Sequence, residues 1–456
     1  SFRFLNREKT FPSPVAIDWN FADYGKLWTY NLNYFEFLAT KSKTEGLALI
    51  RSWIQAEATH ADGWEPYPIS LRLVRWIRFL KQHFPSALPE DVVASIKNQY
   101  EALWKKLEYH LGGNHLLENA IALCLTAHFL QDEVRAPRAQ RLLHAELGKQ
   151  YLSDGAHYEL SGMYHAVLLD RLLTLWEHLT TVPSPSFANL DPILKNSIQK
   201  QLNWLLAFAT EDGQYAHFND STEGIAPSVE QLSQRSEALG LEVIPGQLTT
   251  SGYRRWSHLL YDLWMDAAAI GPSYIPGHAH ADNLTFVLHV TGHPVIVDPA
   301  ISTYEKNERR SWERSTAAHN TVTVADRNSS DVWGGFRVGK RAHTRILSDK
   351  QDQLKATYSG SAYAHQRTFR RAIDKIMIQD KVTPPQKAVA RFHFDYRQEV
   401  LLTDDALRCG TLSLKWSSAK AQLVDYEQAV GWNDCRPARC LELTFVGKLD
   451  VSLSFS

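Results

Sequence analysis

The spacing of apolar residues changes about halfway along this chain of 456 residues, and this change constrains the fold more than any other feature. From about residue 20 to 240 the apolar positions recur at helical intervals, interrupted by turn sequences such as Asp62-Gly63 and Gly112-Gly113. After about Gly252 apolar and polar residues alternate as they do in β-strands. A helical half followed by a β half favours a chain of two domains.

We therefore predict an α+β protein with an α-helical domain over residues 1–245 and an antiparallel β-sheet or β-sandwich domain over residues 246–456. The helical spacing predicts helices at 27–38, 47–58, 69–84, 92–111, 116–130, 138–152, 161–179 and 194–209. The alternating spacing predicts strands at 284–290, 294–297, 320–324, 366–372, 388–394, 441–446 and 451–456.

Composition excludes several classes of protein. The chain has 49 basic and 50 acidic side chains, so it lacks the overall field that would attract nucleic acid or an anionic membrane. It has no run of 18 apolar residues, so we predict no membrane span. Four cysteines are too few for a disulfide framework, although Cys435 and Cys440 could pair in an oxidising compartment.

The first candidate cluster is rich in histidine. His278 and His280 are two residues apart, Asp298 follows an apolar run, and His319 precedes a predicted strand. Two histidines and one aspartate on neighbouring strands suit a divalent metal such as zinc. The alternative is a set of unrelated surface or core histidines.

A second cluster is Asn114 and His115, which follow Gly112-Gly113 and fall near the start of a predicted helix. Backbone N–H groups and the helix dipole favour an anion at such a position. The alternative is that Asn114 only caps the helix.

A third cluster is Tyr164 with His165, placed in the first turns of the helix that follows Asp154-Gly155. A tyrosine beside a histidine can act as a proton-transfer pair. The alternative is a structural tyrosine packed between helices.

Taken together, these residue types suit β-elimination from a 4-linked uronide. That reaction needs donors that neutralise the C5 carboxylate, a base for the C5 proton and an acid for the departing O4. Glycoside hydrolysis would instead need two facing carboxylates, and Asp220 with Glu223 is the pair that could be interpreted so.

The order of the motifs resembles that of the heparinase II/III-like polysaccharide lyases. The similar segments extend over most of the chain: Ile17 to Asn20, Leu27 to Phe35, Trp64 to Arg72, Gly113 to His115, Asp154 to His165, and Gly277 to Leu284. The resemblance implies an incomplete α/α toroid followed by antiparallel β-sheets, a fold shared with related alginate lyases.

The resemblance also implies roles for catalytic residues by matching position. Asn114 and His115 would engage the substrate carboxylate, and Tyr164 would be the general acid and also a candidate base. His278 would be the catalytic histidine of its pair. Tyr304 lies where several relatives place a second active-site tyrosine.

For the metal, His280, Asp298 and His319 match the ligands of family members that bind zinc or a similar ion. Zinc is the first expectation, with manganese or calcium as alternatives, in a structural role. Arginine and aromatic residues are further candidates for sugar, carboxylate or sulfate contacts, although each arginine could equally be a surface charge: Trp64, Tyr67, Arg72, Arg75, Arg309, Arg310, Trp312 and Arg314.

The resemblance implies a bacterial lyase, periplasmic or secreted, whose partner is an anionic polysaccharide and whose products carry a 4,5-unsaturated uronate. Heparan sulfate, chondroitin sulfate and hyaluronan are the favoured substrates. The alternatives are an alginate lyase and a non-catalytic glycan-binding protein of exopolysaccharide assembly. The sequence shows no signal peptide and does not determine the oligomeric state.

Overall fold

The structure of the chain is a computed structural model that describes residues 1–360 and 363–455. Within these residues the α-helices are α1 Lys26–Tyr34, α2 Lys43–Gln55, α3 Pro66–His83, α4 Glu90–Lys105, α5 Gly113–Leu130, α6 Ala136–Gln150, α7 Gly162–Thr181, α8 Leu190–Phe208, α9 Val229–Ala238 and α10 Glu308–Glu313. None of the described helices combines the length and apolar character needed to cross a membrane.

The first fourteen strands are β1 Phe2–Phe4, β2 Arg7–Lys9, β3 Tyr253–His258, β4 Tyr261–Asp266, β5 Phe286–Val290, β6 His293–Ile296, β7 Val322–Val324, β8 Asp331–Trp333, β9 Arg337–Gly339, β10 His343–Lys350, β11 Gln353–Ser359, β12 Ala364–Arg371, β13 Lys375–Thr383 and β14 Lys387–His393. The remaining strands are β15 Leu401–Leu402, β16 Ala406–Cys409, β17 Leu412–Trp416, β18 Lys420–Gly431, β19 Asp434–Val446 and β20 Lys448–Phe455.

The chain forms two compact units. Unit 1 comprises Ser1–Gln150 and Leu168–Ile198, and unit 2 comprises Tyr151–Val167 and Gln199–Ser456. Part of the helical region thus belongs to unit 2. The carboxylate of Asp154, for example, accepts hydrogen bonds from the backbone N–H groups of Thr249 (3.0 Å) and Ser251 (2.9 Å).

The helices of unit 1 pack around α5. Its positions from Leu116 to His128 are buried on all sides, as expected for a helix in the middle of a core, and it contacts α3, α4 and α6. The surrounding helices bury one face each. Local chemistry sets where they begin: Ser42 and Glu45 form a capping box at α2, and Pro66 occupies the first turn of α3.

Unit 2 is built from antiparallel sheets. The largest has eight strands in the order β10-β11-β12-β13-β20-β17-β16-β15, and two four-stranded sheets have the orders β18-β19-β14-β7 and β3-β4-β5-β6. Strands such as β20 alternate between buried and more exposed residues, so one face lies on the core. The buried faces share one hydrophobic cluster that includes Phe369, Ile378, Leu443 and Leu453.

Each predicted helix and strand overlaps an element of the same type. The helices α9 and α10 and the strands β1–β4, β8–β11, β13 and β15–β18 were not predicted. The suggested pairing of Cys435 with Cys440 is wrong, because all four cysteines are free. Both lie on β19, where five residues of extended chain span about 16 Å. A disulfide requires Cα atoms within about 7 Å.

Candidate active site

Unit 2 brings together three of the predicted catalytic residues. The hydroxyl oxygens of Tyr164 and Tyr304 are 2.8 Å apart, within hydrogen-bonding distance. The ring of Tyr164 stacks on the imidazole of His278, with centroids 3.8 Å apart and planes 17° from parallel. Tyr164 is placed by the start of α7, where its backbone N–H donates to the hydroxyl of Ser161. We call these three residues the catalytic cluster.

A buried carboxylate orients the histidine of the catalytic cluster. Nδ1 of His278 lies 2.7 Å from Oε2 of Glu159, whose side chain is 7% exposed. A carboxylate at Nδ1 favours the tautomer with its proton there, which leaves the Nε2 lone pair free to accept a proton. The 12% exposure of the His278 side chain is compatible with access by a substrate.

Beneath the catalytic cluster lies a buried ionic group. Asp220 accepts from Arg310 through both oxygens, at 2.5 and 2.8 Å, and from Nε2 of His280 at 2.8 Å; all three side chains are fully buried. Burial alone would raise the pKa of Asp220, but the Arg310 charge holds it below the ordinary value. The guanidinium of Arg310 also lies 4.9 Å from the Tyr304 ring centroid.

This environment keeps the tyrosines protonated. Burial, together with the negative charge of Asp220, raises the pKa of both Tyr164 and Tyr304 above the usual value. Near neutral pH Tyr164 is therefore a hydroxyl that can donate a proton, and its ionised form is disfavoured.

The predicted metal ligands also lie in unit 2. The rings of His280 and His319 are 5.2 Å apart, and His280 Nδ1 and His319 Nε2 are buried without a hydrogen-bond partner. The other nitrogen of each ring faces a carboxylate, and for His319 this is Asp298, at 2.7 Å. Across residues 1–360 and 363–455, no three His, Cys, Asp or Glu side chains converge as a metal site would require.

Unit 1 holds the other predicted catalytic pair. Asn114 and His115 occupy the first turn of α5, as expected from the glycines before them. Nδ1 of His115 lies 3.0 Å from Oε1 of the buried Glu108, and its ring lies 4.5 Å from that of Tyr67. The side chain of His115 is 31% exposed. Each unit thus presents a partly exposed histidine with a buried glutamate at Nδ1.

Glu118, one turn beyond Asn114 on α5, was not singled out from the sequence. It is fully buried, Oε1 accepts from Arg171 at 3.3 Å, and Oε2 has no partner among the described residues. Burial outweighs the charge of Arg171 and raises the pKa of Glu118 from 4.5 to about 7.

We expect Glu118 to make stability decrease as pH rises. Between about pH 4.5 and 7 the folded chain keeps a proton that the unfolded chain has released, so the free energy of unfolding falls across this window. Glu118→Gln should remove that part of the pH dependence. Denaturant unfolding at several pH values checks this. Equal slopes for parent and variant between pH 5 and 7 would contradict it.

Of the predicted substrate-binding residues, the arginines are largely internal. Arg72 is fully buried in unit 1 and donates to Gln99, to the Asn33 carbonyl and to the Gly63 carbonyl. Arg310 and Arg314 are buried in unit 2 and donate to backbone carbonyls of the segment that joins β8 to β9. A substrate contact by these arginines would require them to leave these partners.

The aromatic candidates are more accessible. Trp64 and Tyr67 are partly exposed in unit 1, where the indole N–H of Trp64 donates to the carbonyl of Glu57. Trp312 is partly buried in unit 2 against Tyr426, beneath the guanidinium of Arg309. Arg75 pairs with Glu36 in unit 1.

Sequence reasoning missed the carboxylates that orient the histidines. Glu159 stood within the motif that ends in Tyr164, but its partner His278 lies 119 residues further along the chain. The place of Glu159 in this motif could have marked it as a candidate, but the sequence did not indicate that it orients His278. The suggested hydrolytic pair is not available, because both oxygens of Asp220 are engaged by Arg310.

Comparison with known proteins agrees with this architecture. The family model for the heparinase II/III N-terminus matches residues 19–238, and the model for the heparinase II/III-like C-terminal region matches residues 245–432. A heparin-sulfate lyase from Bacteroides stercoris is 24% identical over 308 residues, which is 58% of this chain. The match spans 44% of that relative, less than half of its length.

Solved structures share the fold. A heparinase III, the BT4657 gene product, superposes with a TM-score of 0.72 at 14% identity, covering 96% of this chain and 80% of its own. Heparan sulfate lyase HepC from Pedobacter heparinus gives a TM-score of 0.62 at 16% identity, covering 94% and 75%. The predicted fold class, a helical toroid followed by antiparallel β-sheets, is confirmed. Since the two family models together match most of the sequence, the chain belongs to the heparinase II/III-like family.

Proposed function

We propose that this protein is a glycosaminoglycan lyase that cleaves 4-linked uronides by β-elimination. The observation that carries the proposal is the catalytic cluster: a protonated tyrosine pair stacked on a histidine whose Nδ1 is held by Glu159. The names of the relatives, a heparin-sulfate lyase and a heparan sulfate lyase, support the same reaction class.

The catalytic cluster supplies the two proton transfers of the elimination. Nε2 of His278 takes the proton from C5, and the electrons of that C–H bond form the C4=C5 double bond. As the C4–O4 bond breaks, the hydroxyl of Tyr164 protonates O4, and the hydroxyl of Tyr304 donates a hydrogen bond to the oxygen left on Tyr164. Solvent then removes the proton from His278 and returns one to Tyr164. We assign the base to His278 rather than Tyr164 because burial disfavours the ionised tyrosine.

Neutralisation of the substrate carboxylate makes the C5 proton acidic enough to remove. For this role we propose Asn114 and His115, whose amide and imidazole donors fit a carboxylate. Glu108, 3.0 Å from Nδ1 of His115, holds the orientation of that ring.

We propose a periplasmic or secreted location and glycosaminoglycans as substrates.

The substrate class can be tested with a panel of heparan sulfate, chondroitin sulfate, hyaluronan and alginate. The unsaturated uronate absorbs ultraviolet light, so absorbance should rise with at least one glycosaminoglycan. Activity on alginate alone would change the substrate class. Binding without product on long incubation would contradict a lyase and favour a glycan-binding protein.

Glu159 gives a graded test of the histidine base. We expect Glu159→Gln, which keeps an acceptor for Nδ1–H but loses the charge, to lower kcat about tenfold. Glu159→Ala should lower it about a hundredfold, with KM little changed in both. Steady-state rates measure this, and Glu427→Gln on an exposed side chain is the control. Full activity of Glu159→Ala would show that Glu159 is not needed to orient His278 as the base.

For the metal we propose that two of the predicted ligands, His280 through Nδ1 and His319 through Nε2, bind one divalent cation in a structural role. Asp298, the third predicted ligand, faces Nδ1 of His319 and would support that ring rather than contact the metal. Two buried imidazole nitrogens without partners support this, as does the carboxylate behind each ring, a common arrangement around metal-binding histidines. Zinc fits nitrogen ligands best, and manganese or calcium are the alternatives.

Elemental analysis of purified protein tests the metal proposal without reference to activity. We expect about one divalent ion per chain, lost in His280→Ala together with thermal stability. The control is His278→Ala, which should keep the metal and lose turnover. A parent protein without metal, or metal lost only in the control, would overturn the assignment.

A further inference from the structure

The hairpin β8–β9 carries a turn that two buried arginines hold in place. Arg310 donates through Nε and Nη2 to the carbonyl of Gly335, at 3.1 and 3.0 Å. Arg314 donates to the carbonyls of Gly334 (3.3 Å) and Arg337 (3.2 Å), and also to that of Ala279 (3.0 Å). These contacts fix the turn beside the segment that carries His278.

The turn also contacts the catalytic cluster directly. The ring centroid of Phe336 lies 5.0 Å from that of Tyr304 and 6.2 Å from that of His278, both in edge-to-face arrangements. The turn of the hairpin therefore borders the place where we propose the elimination occurs.

One face of this hairpin presents an aromatic ring beside a cation. Trp333 and Arg337 are directly opposite in the antiparallel register, so their side chains lie on the same face. Trp333 is 54% exposed, and the side chain of Arg337 is exposed too. A Cβ at Gly339 would approach the indole to 3.0 Å. The indole therefore packs against Gly339, and it can do so because glycine has no side chain.

We propose that Trp333 and Arg337, with Phe336 between them and the catalytic cluster, form a subsite for a sugar ring next to the ring that reacts. The indole stacks on the apolar C–H face of the pyranose, and the guanidinium pairs with its carboxylate or sulfate. This inference deepens the proposed function and rests on it. The two aromatic side chains, Trp333 and Phe336, offer a surface that one or two sugar rings can cover. A stable protein partner would need roughly 800 Å² on each side, so the surface suits a sugar better than a protein.

Binding of size-defined oligosaccharides tests the subsite without requiring turnover. Calorimetry would use octasaccharides of heparan sulfate, chondroitin sulfate, hyaluronan and alginate, followed by the disaccharide of the tightest binder, with the Tyr164→Phe variant to prevent cleavage. We expect Trp333→Ala to weaken octasaccharide binding about tenfold and disaccharide binding much less. Trp333→Phe should recover most of the loss.

Charge is tested separately. Arg337→Ala should weaken binding several-fold and reduce its salt dependence, because one ion pair is lost. The matched controls are Ile373→Ala, an exposed apolar residue, and Arg408→Ala, an exposed arginine of β16; both should bind like the parent.

The outcomes separate the two proposals. If no unsaturated product ever forms but octasaccharide binding depends on Trp333, the sugar-binding role of Trp333 and Arg337 stands, while the lyase and the placement of the subsite beside a reacting ring fall. If product forms but Trp333→Ala and Arg337→Ala bind octasaccharide like the parent, the subsite falls and the lyase stands. If the parent binds none of the four glycans, both fall.

Discussion

Tyr164→Phe should lower kcat on glycosaminoglycan about a thousandfold while leaving the fold intact. The variant removes only the hydroxyl, which is the group we assign as the acid for O4, and general acid catalysis contributes about 10²- to 10⁴-fold. Phenylalanine keeps the stack on His278, so the effect should fall on kcat rather than on KM. The initial rate of ultraviolet absorbance measures it.

Two further variants, Tyr304→Phe and a control, test whether this effect is specific to Tyr164. Tyr304→Phe removes the hydroxyl 2.8 Å from that of Tyr164 and should lower kcat less, about tenfold, because the acid itself remains. Tyr261→Phe on β4, whose hydroxyl donates to the Ala372 carbonyl, is the control and should keep full activity. A fully active Tyr164→Phe would leave the acid role without support.

Asp220→Ala should lower the free energy of unfolding by about 3–5 kcal/mol. The change leaves the guanidinium of Arg310 buried without its counter-charge and removes the partner of His280 Nε2. Unfolding in urea, followed by fluorescence, measures the loss. Asp220→Asn should lose less, since the amide oxygen still accepts a hydrogen bond.

The matched control is Asp434→Ala. Asp434 is partly exposed and pairs with the exposed Arg436, so the change should alter stability by less than about 1 kcal/mol. pH provides a second check. The pKa of Asp220 is held below its unfolded value, so its stabilisation is present at neutral pH and is lost as pH falls through the folded pKa. The gap between parent and Asp220→Ala should therefore narrow in acid. An unchanged unfolding midpoint for Asp220→Ala would contradict the prediction, because it would mean that the buried Arg310 charge does not need Asp220.

Part of the site was predictable because it depends on local sequence. The Asp154-Gly155 turn and the helical spacing after it placed Tyr164 in the first turn of a helix, and α7 begins at Gly162. Gly112-Gly113 likewise placed Asn114 and His115 at the start of α5. In both cases residues close in the chain define the geometry.

The arginines show what local reasoning leaves open. Arg310 and Arg314 were candidates for a substrate contact, with a surface charge as the equal alternative. Both are instead buried, and they hold the turn between β8 and β9. In the sequence, an arginine that faces solvent cannot be told from one that donates to buried backbone carbonyls. The tertiary structure decides which partners the guanidinium has.

The sequence by itself determined the order of the two halves and the type of eight helices and seven strands, which follow from periodicity and turns because these reflect which face of each element is buried. Local motifs and the family resemblance singled out Tyr164, His278 and His115 as candidates. Only the tertiary structure decided the partners: Glu159 with His278, 119 residues apart, Tyr164 with Tyr304, 140 apart, and Asp220 with Arg310, 90 apart. Such pairs form because packing brings distant elements together and because a buried charge requires a partner, and neither condition leaves a mark on the neighbouring residues.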